Sequence, residues 1–85
     1  MQVPETVDEV LDASGLQCPL PLAKTAKALN GLAAGNVLKV IATDEGSVLD
    51  FRSWAQGSGK CELLAQEISA GSDGKKRYIH YLKRT

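Results

Sequence analysis

The residues of this sequence best suited to chemistry are a cysteine and two prolines, in the order Cys18-Pro19-Leu20-Pro21. A cysteine between the end of a strand and the start of a helix is a recurrent reactive position, because the unpaired N–H groups and the positive end of the helix dipole stabilise a thiolate. The motif therefore predicts a nucleophilic thiol at Cys18. The alternative is that Cys18 is a small buried hydrophobic residue, the commonest fate of a free cysteine.

The two prolines favour an exposed position for this thiol. Pro19 disfavours the helical conformation for Cys18, and a proline in the first turn of a helix loses only an N–H group that has no partner there. Together with Gly15, which is typical of a turn, the prolines predict that Cys18 lies just outside the helix on a stiff segment that points away from the core. We expect them to set the direction of the thiol rather than to support the core.

The other reactive side chains are better explained by structure than by chemistry. Cys61 begins a predicted strand and is expected to be an ordinary strand residue, because a resolving thiol would need its Cα within about 7 Å of that of Cys18. The single histidine, His80, is expected at the surface or as a hydrogen-bonded core residue. Two widely separated cysteines and one histidine are too few ligands for a structural zinc site.

Side chains near the second predicted helix also have structural explanations. Asp44 and Glu45 are expected to flank its start rather than to form a catalytic carboxylate pair, and Ser47 is a candidate cap. Trp54 is expected in the core, because so small a protein has few other large side chains to bury.

Residues 75–77 are expected to be the solvated end of a hairpin rather than a docking patch.

Two helices are predicted from the spacing of apolar residues. The first is predicted over 19–32, because apolar residues recur there at intervals of three and four. The same spacing predicts a shorter helix over 47–56, which the glycine-rich residues 57–59 end.

Four runs rich in β-branched and aliphatic residues predict strands over 6–12, 36–43, 61–69 and 76–83. The last two are joined by a glycine-containing turn and form a hairpin. Apolar residues occur on both faces of the last strand, so periodicity does not show which face is buried. The order β-α-β-α-β-β predicts an α/β (α+β) fold, a two-layer sandwich in which two helices cover one face of a four-stranded mixed sheet.

Length and composition limit the class of protein. Eighty-five residues are expected to form one domain, 1–85, because two separate cores of about 40 residues would usually need disulfides, metals or oligomerisation. A content of 44% hydrophobic and 24% charged residues argues against disorder. A formal net charge of zero, with one Trp, two Tyr and one Phe, argues against a strongly basic nucleic-acid binder.

Charge is distributed unevenly along the chain. Residues 1–50 contain seven acidic and three basic residues, whereas residues 51–85 contain three acidic and seven basic residues. If the two halves occupy different sides of the molecule, the resulting dipole suits docking to protein partners. The alternative is that these charges only solvate the surface.

The start of the chain predicts the cellular compartment. Residues 1–10 contain three acidic residues and no apolar run, so no signal peptide is predicted, and no 18-residue apolar stretch follows. We therefore expect a cytoplasmic protein whose thiols are kept reduced.

The spacing Asp12-x-x-Gly15-x-x-Cys18-Pro19-x-Pro21, after a short strand and before an amphipathic helix, resembles the TusA/SirA family of small sulfur-carrier proteins. The resemblance extends over nearly the whole chain and includes Gly35-Asn36, Asp44, Trp54 and the basic final strand. It implies a two-layer α/β sandwich in which Cys18 receives sulfane sulfur as a persulfide. The donor would be a cysteine desulfurase or a rhodanese-like protein, and an acceptor protein would take the sulfur onward.

The resemblance also implies roles for the residues around the motif. They are the catalytic Cys18, the motif-supporting residues Asp12, Gly15, Pro19 and Pro21, and the partner-docking candidates Leu20, Lys24 and Lys27. Leu20 departs from the family, whose members often have an acidic or other polar residue between the two prolines. Lys24 and Lys27 fall on the predicted exposed side of the motif helix.

Sulfur transfer between thiols needs only an attacking thiolate and a thiolate leaving group, so we expect no cofactor and no metal. We expect a monomer that contacts donor and acceptor proteins, and neither a membrane nor nucleic acid. Two alternatives stay open: a non-catalytic adaptor or regulator that binds a protein partner, and, ranked lower, an RNA-binding module. The resemblance allows acceptors in tRNA thiolation, molybdenum-cofactor assembly, dissimilatory sulfur metabolism and selenium handling.

Overall fold

A computed structural model describes Pro4 and residues 6–16, 20–71 and 74–85. The predicted order of elements is confirmed, and each described boundary lies within three residues of its prediction. The bounds are β1 Glu9–Ala13, α1 Leu20–Asn30, β2 Val37–Ala42, α2 Ser47–Ser58, β3 Cys61–Ala70 and β4 Lys76–Arg84. Residue 19, predicted to begin the first helix, lies outside the described residues.

The largest difference from the prediction is at the start of β1, where the strand begins at Glu9 rather than at residue 6. Asp8, just before the strand, forms two hydrogen bonds with Val37, the first residue of β2. Its N–H donates to the Val37 carbonyl at 2.9 Å, and its Oδ2 accepts the Val37 N–H at 2.7 Å. Because a side-chain oxygen takes the place of a backbone carbonyl here, the regular ladder starts one residue later.

The second helix is two residues longer than predicted and ends at Ser58. Gly59 follows with φ of 66°, in the left-handed region. Glycine adopts this conformation without steric cost, and it is the usual residue just past the end of a helix.

The four strands form one mixed sheet in the order β1-β2-β4-β3. β1 and β2 are parallel, whereas β4 is antiparallel to both β2 and β3. α1 packs on β1 and β2, α2 packs on β3 and β4, and the two helices contact each other, so both cover the same face. The predicted two-layer α+β sandwich is confirmed.

The core lies between the sheet and the two helices. Its largest fully buried apolar side chains come from both layers: Leu29, Leu38, Val40, Phe51 and Leu82. Trp54, predicted in the core, is half-buried and packs against its edge. The Trp54 and Phe51 rings meet edge to face, with centroids 6.4 Å apart and planes at 79°.

The structure shows which side of β4 faces the helices. The His80 ring stacks on Phe51 of α2 with centroids 4.3 Å apart, so His80 and its alternate neighbours face the core. Tyr81 lies on the opposite face of the sheet, where its hydroxyl donates to Glu67 Oε1 at 2.8 Å. Both faces of this strand are therefore partly covered, which explains its mixed apolar pattern.

Candidate functional site

Residues on both sides of the cysteine motif lie at the end of the sheet where β1 and β2 finish. Residues 17–19 fall outside the described residues, so the exposure and direction of the Cys18 thiol stay predictions. β1 ends at Ala13, the following loop is described as far as Leu16, and α1 begins at Leu20.

The loop after β1 is a tight turn that Asp12 stabilises. Asp12 Oδ1 accepts the Ser14 N–H at 2.9 Å, and the Leu16 N–H donates to the Ala13 carbonyl at 3.3 Å. Hydrogen bonds from the Ser14 side chain and backbone hold the pKa of the Asp12 carboxyl below its usual value. Gly15 has φ of +81°, a conformation that a residue with a Cβ rarely adopts. These contacts place Asp12 and Gly15 in or next to the turn that leads to the motif, and their motif-supporting roles stay predictions.

Thr43 also holds this loop, although it is not among the predicted site residues. Its Oγ1 accepts the Gly15 N–H at 2.8 Å. Thr43 follows β2 in the chain as Ser14 follows β1, and the two strands are parallel with Ala13 beside Ala42. Neighbouring parallel strands end at the same end of the sheet. A polar residue directly after β2 is therefore expected close to the loop after β1, and this pattern could have identified Thr43 from the sequence.

Pro21, in the first turn of α1, is buried, and this corrects the expectation that both prolines act only on the thiol's direction. Its carbonyl accepts the hydroxyl of Thr25, also buried, at 2.7 Å. Pro21 also lines a narrow crevice between the helices, together with Leu22, Asp44, Ser47, Asp50 and Phe51. Pro21 therefore packs α1 against the start of α2.

The start of α2 is held differently from the prediction that Ser47 caps it. The capping position is Gly46, and no side chain caps the helix there. Asp44 flanks the helix as expected, because its Oδ1 accepts the Gly46 N–H at 3.1 Å. The Ser47 hydroxyl is instead bonded to Nε2 of His80 at 3.0 Å.

His80 is a hydrogen-bonded core histidine, one of the two predicted environments. Gln66 Nε2, which can only donate, lies 3.1 Å from His80 Nδ1 and also donates to the Val48 carbonyl at 3.0 Å. Nδ1 must therefore accept, and Nε2 carries the proton that it donates to Ser47. Burial lowers the pKa of His80 from 6.5 to about 4, so the ring is neutral near pH 7. Its role is to join α2 to β3 and β4.

The three docking candidates lie along one part of α1. Leu20 is 51% exposed, and Lys24 and Lys27 are exposed. The two lysines line a shallow groove between α1 and the edge strand β1, whose other lining residues are Glu9, Leu11, Ala28 and Gly31. The predicted exposure of these lysines is confirmed.

Cys61 is a strand residue, as predicted, and the structure also places it in the core. It is 5% exposed, and burial raises the pKa of its thiol. It pairs with Arg84 at one end of the sheet, whereas Leu16 and Leu20 lie near the opposite end, where Ala13 ends β1. The fold does not bring Cys61 toward either described flank of the motif.

Two kinds of feature are missing from the part of the chain that the structure describes. No group of three or more His, Cys, Asp or Glu residues there could hold a metal ion. None of the helices in that part is long and apolar enough to cross a membrane.

Comparisons with known proteins agree with this geometry. The profile of the family described as sulfurtransferase TusA matches residues 9–83. The sulfur carrier protein TusA of Allochromatium vinosum is 50% identical over 64 residues, which cover 75% of this chain and 83% of that protein. The sulfur carrier protein TusA of Pseudomonas putida is 38% identical over 79 residues, which cover 93% of this chain and 91% of that protein.

The crystal structure of a SirA-like protein from Desulfitobacterium hafniense matches with a TM-score of 0.61 at 27% identity, over 86% of this chain and 95% of that chain. The relatives' names favour a sulfur-carrier role over a non-catalytic adaptor or an RNA-binding module. A carrier of this kind interacts with proteins that donate sulfur and proteins that accept it. Because the family profile matches from β1 to β4 and the fold is that of a SirA-like protein, the chain belongs to the TusA family and is a sulfur carrier.

Proposed function

We propose that Cys18 is the residue that carries the sulfur, as a persulfide. The observation that supports this most directly concerns the other cysteine. The chain has two cysteines, and a carrier needs a thiol that partner proteins can reach. Cys61 is buried in the core, and its thiol has a raised pKa, so it is poorly suited to the task.

The proposed reaction is an exchange between thiols. The Cys18 thiolate attacks the outer, sulfane sulfur of a donor persulfide, the donor's S–S bond breaks, and the donor cysteine leaves as a thiolate. Cys18 then bears the persulfide. In the second step an acceptor thiolate attacks its outer sulfur, and the Cys18 thiolate leaves. No electrons enter or leave, so the protein needs no redox partner for either step.

The motif and its surroundings would serve this exchange in distinct ways. We assign Asp12 and Gly15 to the turn before Cys18, and Pro19 and Pro21 to the stiff segment after it. Leu20, Lys24 and Lys27 would form the surface that a partner reads. A cysteine desulfurase or a rhodanese-like protein is the proposed donor, and residues 1–85 would act as one domain, as a monomer in the cytoplasm.

The test is to load the protein with sulfur from a cysteine desulfurase and L-cysteine and to measure intact mass. The wild type should gain one sulfur that is lost on reduction. Cys18→Ser should gain none, because it lacks the nucleophile, whereas the matched control Cys61→Ser should load like the wild type if it is folded. Sulfur accepted by Cys18→Ser at the wild-type level would contradict the proposal.

A further inference from the structure

We propose that Thr43 is a positioning residue for sulfur transfer: its hydroxyl group ties the loop that enters the cysteine motif to the end of β2. The proposal rests on the assignment of Cys18 as the sulfur-bearing residue. It gives a role to a side chain that lies outside the motif and follows a different strand.

In the loop after β1, one hydrogen bond reaches a residue that is distant in the sequence, whereas the two others are local. The N–H groups of Ser14 and Leu16 donate to partners two and three residues earlier in the chain, at 2.9 and 3.3 Å. The Gly15 N–H donates at 2.8 Å to Thr43, 28 residues later in the sequence. The two local bonds join the turn to Asp12 and Ala13, the last two residues of β1, so they attach it to one strand only. Among the described hydrogen bonds of this loop, the bond to Thr43 is the one that joins it to the end of a second strand, β2.

Only a short piece of chain separates this anchor from the next one. Downstream of Cys18, Pro21 is buried, and its carbonyl is bonded to Thr25 at 2.7 Å. Upstream, Gly15 is bonded to Thr43. Between Gly15 and Pro21 lie five residues, with Cys18 at the centre. The described residues on both sides of Cys18 are therefore tied to the rest of the fold, upstream at Gly15 and downstream at Pro21.

Loss of the Thr43 hydroxyl would remove the hydrogen bond between this loop and the end of β2, whereas the bonds to Asp12 and Ala13 and the core would remain. Thr43 is half-buried at the end of the sheet, and valine has nearly the same shape without the hydroxyl. The thiol would then occupy the productive orientation for a smaller share of the time. We expect sulfur transfer to slow by about three- to tenfold, the range in an equilibrium that corresponds to one such hydrogen bond.

The experiment compares Thr43→Val with Thr43→Ser, which keeps the hydroxyl. Thr43→Ala serves as a second deletion of the hydroxyl if valine is not tolerated. Two quantities are measured on each full-length variant: the rate of sulfur loading from a cysteine desulfurase, and the hydrogen exchange rate of the Gly15 amide by NMR. The matched control is Thr85→Val, which removes a threonine hydroxyl bonded to the Gly59 carbonyl at 3.0 Å, away from the motif.

Thr43→Val should show faster Gly15 exchange and slower loading, and Thr43→Ser should restore both. Thr85→Val should load like the wild type. Wild-type loading by Thr43→Val would overturn the proposal even if Gly15 exchange is faster, and so would a Thr43→Ser variant as slow as Thr43→Val. Unchanged Gly15 exchange in Thr43→Val would show that the hydroxyl does not hold the loop. Loading that persists in Cys18→Ser would overturn the assignment of Cys18, and this role with it.

Discussion

His80 illustrates how a single buried side chain joins several elements. Ser47 begins α2, Gln66 lies in β3, and both are hydrogen-bonded to ring nitrogens of this β4 residue. Protonation would add an N–H at His80 Nδ1, which faces Nε2 of Gln66. Two donors would then oppose each other, because the amide nitrogen of Gln66 can only donate. The network therefore stabilises the neutral ring, and with it the packing of α2 on the sheet.

This environment predicts a pH dependence of stability. The pKa of His80 is lowered from 6.5 to about 4 on folding, so between these values the unfolded chain binds more protons than the folded one. The free energy of unfolding should therefore rise by about 3 kcal/mol from pH 4 to pH 6.5, at roughly 1.4 kcal/mol per pH unit, and flatten above that. Urea denaturation at several pH values measures it.

His80→Gln is the control for this measurement, because it removes the titrating group while the carboxylates remain. The difference in unfolding free energy between wild type and His80→Gln should grow with pH over the same interval. A difference that is independent of pH would show that His80 titrates alike in the folded and unfolded states.

At the scale of elements, the first turn of α1 contains both a buried and an exposed residue. Pro21 is buried against the start of α2, whereas the next residue upstream, Leu20, is 51% exposed. The helix therefore begins with one side in the core and the other in solvent. Any change in how α1 meets α2 would also move Leu20, the exposed residue between the two prolines.

The two prolines should differ in their effect on stability. Pro21→Ala removes buried methylene groups and should cost about 1 to 2 kcal/mol, a fall of roughly 4–16 °C in Tm for a protein of this size. Pro19→Ala should cost less, because the sequence predicts residue 19 at the start of the helix, where an added N–H is easily solvated. Both variants should slow sulfur loading when folded. Thermal unfolding and loading rates check this, and equal losses of stability would contradict it.

At the scale of the whole molecule, the topology divides the elements into two sides. β1, α1 and β2 form one side of the sandwich, whereas α2, β3 and β4 form the other. This division does not coincide with the division of charge at residue 50, because Asp44, Glu45 and Asp50 lie at or just before the start of α2. The dipole between the two halves of the chain therefore stays a prediction. Lys24 and Lys27 are two of the three basic residues in the acidic half, and both line the groove beside β1.

Charge reversal should show whether partners read this surface. A small carrier must be recognised by a donor and an acceptor in turn, which favours weak encounters steered by charge. Lys24→Glu combined with Lys27→Glu should slow sulfur delivery several-fold, and wild-type delivery should slow as ionic strength rises. Alkylation of Cys18 by a small neutral reagent should change much less.

The matched control reverses two exposed lysines on the other side of the molecule, Lys60 and Lys83. It changes the net charge by the same amount and should leave delivery nearly unchanged. If delivery is insensitive both to salt and to reversal at Lys24 and Lys27, the partner reads the apolar surface around Leu20 instead.

The elements of this protein follow from local sequence, because the spacing of apolar residues and the positions of glycines act over a few residues. Both helices, all four strands and the hairpin were predicted on this basis, and the motif around Cys18 was sufficient to identify the family. Errors at the ends arose where a side chain or a glycine overrode the pattern. The side chain of Asp8 replaces a backbone acceptor, so β1 begins later than predicted. The left-handed conformation that ends α2 occurs at Gly59, so the helix extends to Ser58.

Tertiary structure alone decided how the elements meet. Gly15 and Thr43, 28 residues apart, and Ser47 and His80, 33 residues apart, become partners only when distant strands and helices pack together. The same is true of the burial of Pro21. Local patterns encode which face of an element is apolar, but not which distant polar group will lie against it. That depends on strand order and helix packing, which are set by the free energy of the whole core.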